Sequence, residues 1–209
     1  MRSADLPKVL HELAGRSMIM HVIHAAKEII SGPLNVIVGH GSEKVEAHVN
    51  KTASRDIKEN ISWVYQYDQL GTGHAVQQLL PIMNDYHGHL LILNGDVPLL
   101  TSETLKDLWA HHLEGEHAAT ILTTRLPNPS GYGRIIKDNA GHFLSIREDK
   151  DCAPEELIID EVNTGIYLFE WQYLEEYLPQ LKDNNAKKEF YLTDILGMLV
   201  QAGLSAGVF

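Results

Sequence analysis

The sequence has one cysteine, Cys152, among 209 residues. A single cysteine excludes a disulfide framework within the chain and a multi-cysteine zinc site, and a reducing compartment is the default. No apolar run is long enough to cross a membrane. The opening MRSADLPKVLHEL has no apolar stretch of the kind found in signal peptides. These absences predict a cytoplasmic protein without a membrane partner.

Positive charge is also scarce, since 17 Lys and Arg residues face 28 Asp and Glu residues and the formal net charge is −11. An acidic surface repels phosphate backbones, so we expect no nucleic-acid partner. The composition still allows a local basic pocket that binds a small phosphate ligand. The hydrophobic share of 44% and charged share of 22% are ordinary for a globular domain of this length.

Several catalytic signatures are missing. The Gly-x-Gly stretches at 39–41 and 71–73 have Lys44 and Val76 where a dinucleotide-binding fingerprint needs a third glycine. The chain contains no GxxxxGK[ST], HExxH or GxSxG sequence, which disfavours P-loop, zinc-protease and serine-hydrolase chemistry. The twelve histidines lack zinc-ligand spacing, so we interpret them as surface or hydrogen-bonded residues.

Apolar strand-like runs alternate with helical patterns over the first half of the chain. This order predicts an α/β fold with a mixed, mostly parallel sheet and helices on both faces. The second half contains β-like runs joined by short turns, followed by two helices. The predicted strands are 36–38, 63–66, 90–93, 119–124, 133–137, 143–147 and 162–169. The predicted helices are 17–30, 42–52, 72–80, 101–112, 171–178 and 193–202, with Ser17 and Ser42 as N-caps.

Asp96 follows the clearest predicted strand, at the strand end where open α/β sheets bind ligands. Gly95 beside it allows close approach to the backbone. A carboxylate in this position suits Mg²⁺ that also contacts substrate phosphates, but a turn or capping aspartate is an equal alternative. Similarly, Lys8 after Leu6-Pro7 is either a phosphate contact or a solvated lysine.

Taken in order along the chain, seven segments resemble the uridylyltransferase domain of the bacterial bifunctional N-acetylglucosamine-1-phosphate uridylyltransferase/glucosamine-1-phosphate acetyltransferase family. The similarity covers essentially the whole chain, and the middle motifs are specific to the family. The segments are DLPKVLH (Asp5–His11), QLGTGHA (Gln69–Ala75), NGDVPLL (Asn94–Leu100), PSGYGRI (Pro129–Ile135), EDKD (Glu148–Asp151), VNTGIY (Val162–Tyr167) and EFYLTDI (Glu189–Ile195).

This resemblance implies a Rossmann-like nucleotidyltransferase fold over residues 1–209. It also implies the reaction of UTP with N-acetylglucosamine 1-phosphate to give UDP-N-acetylglucosamine and pyrophosphate, a step in the supply of precursors for peptidoglycan and lipopolysaccharide. Mg²⁺ is the implied cofactor. Phosphoryl transfer of this kind needs no protein nucleophile, which agrees with the missing motifs.

Residue by residue, the resemblance implies that Lys8 contacts phosphate and that Asp96 binds Mg²⁺, and both are catalytic candidates. Asn94 and Gly95 match the stretch before the metal ligand, although family members often have an aromatic residue where Asn94 stands. The implied uridine contacts are Gln66, Gly71 and Thr72. The implied sugar contacts are Gly133, Glu148 and Asn163.

The sequence departs from the family at both ends. The family's glycine-rich loop and first strand, which would precede DLPK, are not in this sequence, nor is the acetyltransferase β-helix domain that forms the family's trimer. We therefore expect a fold that lacks its first strand and an enzyme of low activity. The alternatives are a nucleotidyltransferase for another sugar 1-phosphate or nucleotide, and a sugar-nucleotide binder without catalysis.

Overall fold

The computed structural model describes residues 6–209, so Asp5 of the first motif lies outside the described part. The chain forms two compact units. The first contains residues 6–69 and Leu93–Asp107, and the second contains Leu70–Ile92 and Leu108–Phe209. Within residues 6–209, no helix combines the length and the apolar character needed to cross a bilayer.

Seven α-helices and ten strands follow the chain through the described residues. The helices are α1 (Met18–Lys27), α2 (Ser42–Thr52), α3 (Arg55–Asn60), α4 (Thr72–Gln77), α5 (Ser102–Glu114), α6 (Trp171–Tyr177) and α7 (Thr193–Gln201). The strands are β1 (Glu12–Leu13), β2 (Arg16–Ser17), β3 (Leu34–Val38), β4 (Ile61–Tyr65), β5 (His89–Ile92), β6 (Ala119–Arg125), β7 (Arg134–Lys137), β8 (Phe143–Arg147), β9 (Glu161–Glu170) and β10 (Ala206–Val208). Four short 3₁₀ helices lie at Lys8–Leu10, Leu80–Ile82, Asp149–Asp151 and Leu178–Gln180.

In the first unit, β3 and β4 pair in parallel and the hairpin of β1 and β2 precedes α1. The parallel pair follows from its connection, because the helices α2 and α3 carry the chain back to the start of the neighbouring strand. Apolar residues at helical spacing on α1 and α2 pack against this pair of strands. The core of this unit includes Leu10, Ile19, Met20, Ile23, Val38, Val45, Val49 and Ile57.

In the second unit, the strand β9 organises a six-stranded mixed sheet with the order β10-β6-β9-β7-β8, in which β5 also pairs with β9. β9 runs antiparallel to β5, β6 and β7, whereas β10 runs parallel to β6. The helices α6 and α7 bury apolar side chains in this unit, with Trp171, Leu174, Ile195 and Leu196 almost fully inaccessible.

The mixed α/β fold expected from the sequence is confirmed. However, parallel pairs do not predominate among the described strands, since only β3–β4 and β10–β6 are parallel. The physical reason is β9, which reaches the sheet after the short-turn hairpin of β7 and β8 and aligns antiparallel to three neighbours. The short elements β1, β2, β10 and α3 were not predicted, because two- or three-residue strands and a six-residue helix leave little periodicity to detect.

Of the two predicted serine caps, Ser17 occupies the predicted N-cap position and Ser42 does not. Ser17 is at the N-cap of α1 but makes no capping bond, since its hydroxyl lies 2.9 Å from Nε2 of His48. The N-cap of α2 is Gly41, whose left-handed backbone (φ +75°) turns the chain into the helix, so Ser42 is the first helical residue. Tertiary contacts and a glycine turn therefore replace the local capping pattern.

Histidines form a packed cluster in the second unit. His112 is 1% exposed, with Nδ1 2.8 Å from Oγ1 of Thr120 and Nε2 3.1 Å from Nδ1 of His89. His89, His111 and His117 all lie close enough to disfavour its charge, and burial is the larger cause. Together these effects lower the pKa of His112 to about 4. His112 is thus a neutral, hydrogen-bonded core residue, as the interpretation of the histidines anticipated.

Because the folded-state pKa of His112 lies below its unfolded value, the unfolded chain binds more protons between about pH 6.5 and pH 4. Stability from the neutral imidazole is therefore complete above this window and decreases as pH falls through it. We expect wild type to lose about 2 kcal/mol more than the His112→Asn variant between pH 7.5 and 4.5. Urea unfolding at both pH values measures this difference, and equal losses would exclude the explanation.

Candidate functional site

In the first unit, the two residues expected to handle phosphate and metal are in direct contact. Nζ of Lys8 lies 2.6 Å from Oδ2 of Asp96, although 88 positions separate them in the chain. The side chains are 71% and 30% exposed, respectively. An exposed ion pair of this kind adds little to the free energy of unfolding, so folding stability does not explain why the two side chains lie together. Because both side chains are partly exposed, the carboxylate and the ammonium group are accessible to a charged ligand.

The loop that carries Asp96 packs tightly on the segment after Lys8. A Cβ atom on Gly95 would lie 3.2 Å from Cγ1 of Val9, so a larger residue would require the Val9 side chain or the loop to shift slightly. Asn94, one position earlier, is exposed. The sequence interpretation of Gly95 as a point of close approach is consistent with this contact, which is made by the protein chain itself.

Gln66 follows β4 and continues its pairing with β3, because its N–H donates to the carbonyl of Val38 at 2.8 Å. The loop after β3 approaches the same place. A Cβ atom on Gly39 would lie 3.1 Å from Nε2 of Gln69 and 3.4 Å from the carbonyl oxygen of Gln66. Two loops thus meet at the carboxyl ends of parallel strands, which is where open sheets bind ligands.

In the second unit, the predicted uridine-binding residues Gly71 and Thr72 open helix α4. This turn is joined to the EFYLTDI segment by backbone bonds: the N–H of Gly73 donates to Phe190 at 2.8 Å, and that of Phe190 donates to Leu70 at 2.7 Å. The N–H of Leu192 donates to Oγ1 of Thr72 at 3.1 Å. The turn therefore has a structural role that its motif did not reveal.

The three predicted sugar contacts also meet in the second unit. A Cβ atom on Gly133 would lie 3.3 Å from Oε1 of Glu148 and 3.5 Å from Cβ of Asn163. The N–H of Asn163 donates to the carbonyl of Gly133 at 2.8 Å. A carboxylate and an amide thus flank one glycine, and this set can accept from and donate to sugar hydroxyl groups.

Glu148 has a hydrogen-bond partner that the sequence did not identify. Oγ1 of Thr193 donates to its Oε1 at 3.3 Å. Burial raises the pKa of the Glu148 carboxyl group, while nearby Lys187 and the Thr193 hydrogen bond oppose that rise. Thr193 belongs to the EFYLTDI segment, which was noted only as part of the family resemblance. A polar side chain beginning α7 was the available signal, but no local pattern linked it to Glu148.

Arg134 is a second residue that sequence reasoning missed. Its side chain is 2% exposed, and its guanidinium donates to the carbonyl of Tyr132 and, at 3.0 Å, to Oδ1 of Asp149. The N–H of Gly131 and the Arg134 side chain lower the pKa of Asp149, so this carboxyl group stays ionised. The pair joins the turn that contains Gly133 to the turn that contains Glu148.

The predicted residues are divided between the two units. Lys8, Asn94, Gly95, Asp96 and Gln66 belong to the first. Gly71, Thr72, Gly133, Glu148 and Asn163 belong to the second.

Among residues 6–209, no cluster of three or more His, Cys, Asp or Glu side chains is suited to a metal ion. This does not conflict with Mg²⁺, which is usually held by one or two carboxylates together with substrate phosphates and water. The partly exposed carboxylate of Asp96 meets that requirement. A hard cation brought in with a phosphate ligand therefore fits the residues present.

Comparison with known proteins gives matches over nearly the whole chain. A family profile described as nucleotidyl transferase matches residues 3–209. The bifunctional protein GlmU of Nostoc sp. is 46% identical over 198 residues, which are 95% of this chain and 42% of that protein. The corresponding protein of Alkaliphilus oremlandii is 47% identical over 206 residues, 99% of this chain and 43% of that protein. The chain thus spans less than half the length of these curated relatives.

The structure of a UDP-glucose pyrophosphorylase complexed with UDP-glucose resembles the chain with a TM-score of 0.72. The similarity covers 98% of this chain and 83% of that one, at 15% sequence identity. At this identity the comparison establishes the shared fold. The resemblance predicted from the seven motifs is confirmed by the sequence matches.

Proposed function

Since this chain belongs to the nucleotidyl transferase family, we propose that it transfers uridylyl from UTP to N-acetylglucosamine 1-phosphate and releases pyrophosphate. The observation that carries the substrate assignment is the meeting of Gly133, Glu148 and Asn163, which match the family's sugar contacts. The 46–47% identity to bifunctional GlmU proteins over nearly the whole chain supports the same reaction.

The proposed reaction brings two negatively charged phosphate groups together, so positive groups must offset their charge. An oxygen of the sugar 1-phosphate attacks the α-phosphorus of UTP in line, forming the new P–O bond as the bond to pyrophosphate breaks. Lys8, whose side chain is largely exposed, would supply a positive charge for the phosphates. Asp96 would hold Mg²⁺, which supplies electrostatic stabilisation of the developing charge when it is bound.

Recognition of the two substrates would use different residues. The resemblance assigns uridine contacts to Gln66, Gly71 and Thr72, and an amide and backbone groups offer the donor and acceptor that a uracil edge needs. Glu148 and Asn163 would bind sugar hydroxyl groups and the N-acetyl group beside Gly133. Because Gly133 has no side chain, Glu148 and Asn163 can lie close to each other beside its backbone.

A pyrophosphate-release assay tests this proposal. Purified chain is incubated with Mg²⁺ and UTP plus N-acetylglucosamine 1-phosphate, glucose 1-phosphate or galactose 1-phosphate, and dTTP replaces UTP in a parallel series. We expect kcat/KM to be at least about tenfold higher with UTP and N-acetylglucosamine 1-phosphate, since unpaired polar groups in the site penalise the wrong sugar. Preference for another pair would replace the substrate assignment.

A thermal melt separates catalysis from binding alone. A ligand that binds the native state raises the melting temperature by mass action. UDP-N-acetylglucosamine should therefore raise it more than UDP-glucose does at equal concentration. Stabilisation by UDP-N-acetylglucosamine without pyrophosphate release would instead identify a sugar-nucleotide-binding protein, and the proposed transfer would be wrong.

A further inference from the structure

The pairing of strand β9 with β6 shifts register within the NTGIY sequence. Leu122 of β6 pairs with Ile166, but the next residue of β6, Thr123, pairs with Asn163. Thr164 and Gly165 are therefore extra residues in β9, which is the mark of a β-bulge. The bulge depends on Gly165, whose φ of +77° is costly for other residues.

The bulge brings together two side chains that a regular strand would separate. Four residues of extended strand span about 13 Å. Nevertheless, Nδ2 of Asn163 donates to the hydroxyl oxygen of Tyr167 at 2.8 Å. The hydroxyl of Thr164 donates to the carbonyl of Leu122 at 2.6 Å and so ties the bulge to β6.

The amide of Asn163 is bonded at both ends. Its Oδ1 accepts from the N–H of Gly165 at 2.7 Å, and the Tyr167 hydroxyl lies 3.0 Å from the same oxygen. Tyr167 is 5% exposed, and burial raises the pKa of its hydroxyl, which therefore stays protonated. Tyr167 itself is too deep to be a direct sugar contact.

We propose that Tyr167 is a positioning residue that sets the orientation of the Asn163 amide for sugar binding, with the β9 bulge bringing the two side chains into contact. This inference rests on the proposed function, in which Asn163 contacts the sugar. With Oδ1 held by Gly165 and one Nδ2 hydrogen held by Tyr167, the second Nδ2 hydrogen is left for a ligand. Loss of the tyrosine hydroxyl would free the amide to rotate.

Tyr167→Phe removes the hydroxyl and leaves the buried ring. We expect KM for N-acetylglucosamine 1-phosphate to rise about five- to tenfold, the loss typical of one hydrogen bond. The kcat and the KM for UTP should change less than about twofold, because the phosphate and uracil contacts are intact. Tyr86→Phe is the matched control, since it also removes one tyrosine hydrogen bond in this unit, to the carbonyl of His89 at 2.8 Å.

A double-mutant cycle distinguishes positioning from general destabilisation. In an Asn163→Ala background, Tyr167→Phe should leave KM for the sugar phosphate unchanged, because the residue on which it acts is absent. A further rise of the same size would overturn the inference. So would an unchanged KM in Tyr167→Phe when Asn163→Ala alone raises KM.

A measurement that needs no substrate keeps the inference separate from the proposed function. The side-chain NH₂ signal of Asn163, assigned by its loss in Asn163→Ala, should exchange with solvent more slowly in wild type than in Tyr167→Phe. Equal exchange would refute positioning whatever the enzyme does. Slower exchange in wild type without any turnover of sugar phosphates would retain the link between the two side chains and refute the proposed function.

Discussion

Asp96→Asn is expected to lower kcat/KM for uridylyl transfer by at least about 100-fold. The substitution preserves the size of the side chain but removes the negative charge that faces Nζ of Lys8 at 2.6 Å. A neutral amide binds Mg²⁺ much more weakly than a carboxylate, so charge on the reacting phosphates would lose its stabilisation. Steady-state pyrophosphate release over a Mg²⁺ titration measures the change.

Stability should hardly change in this variant, because an exposed ion pair contributes only about 0–1 kcal/mol. Asp56→Asn is the matched control, since Asp56 is also in the first unit and pairs with Lys27 at 3.7 Å. The control variant should retain wild-type kcat/KM. If Asp96→Asn retains more than about a tenth of wild-type activity, Asp96 is only a turn residue, the alternative that its sequence position left open.

Gly71→Ala is expected to destabilise the protein by about 2–4 kcal/mol and to lower the melting temperature by about 5–15 °C. Gly71 has a φ of +111°, and an added Cβ would lie 2.6 Å from the carbonyl oxygen of Phe190. Backbone atoms cannot rotate away from such a clash, so either the turn or the segment at Phe190 must move. Differential scanning calorimetry measures the loss.

Gly203→Ala is the matched control for this second prediction. Gly203 also has a left-handed backbone, with φ +79°, but an added Cβ would find no atom within 4 Å. It should lose only about 1 kcal/mol, the cost of the backbone conformation. Equal losses in the two variants would show that the contact with Phe190 has no importance, and that Gly71 is required only for its backbone angle.

The sequence alone predicted most of the long elements, because hydrophobic periodicity over five or more residues is a local property. The helix predicted at 193–202 is α7 (Thr193–Gln201), and the strand predicted at 143–147 is β8. The mixed α/β fold followed from the alternation of strand-like and helical runs, and the family followed from ordered motifs and is confirmed by a match over residues 3–209. These features can be detected from the order of residues along one chain.

Contacts between distant residues were beyond sequence reasoning. The motifs singled out Lys8 and Asp96 separately, but nothing in either predicted an ion pair across 88 positions. Thr193 and Arg134 had no predicted role, and yet one bonds Glu148 and the other joins two turns of the site. Such pairs arise only when the strands and helices pack, since packing decides which side chains are neighbours.

The residue order by itself therefore determined the types of most long elements and the family, and it supplied the residues proposed to contact phosphate, uracil and sugar. Only the tertiary structure decided the direction of β9 against its neighbours and the bulge that brings Asn163 to Tyr167. The physical reason is that strand pairing and close approach are settled by long-range packing, and a left-handed glycine such as Gly165 expresses its conformation only within that packing.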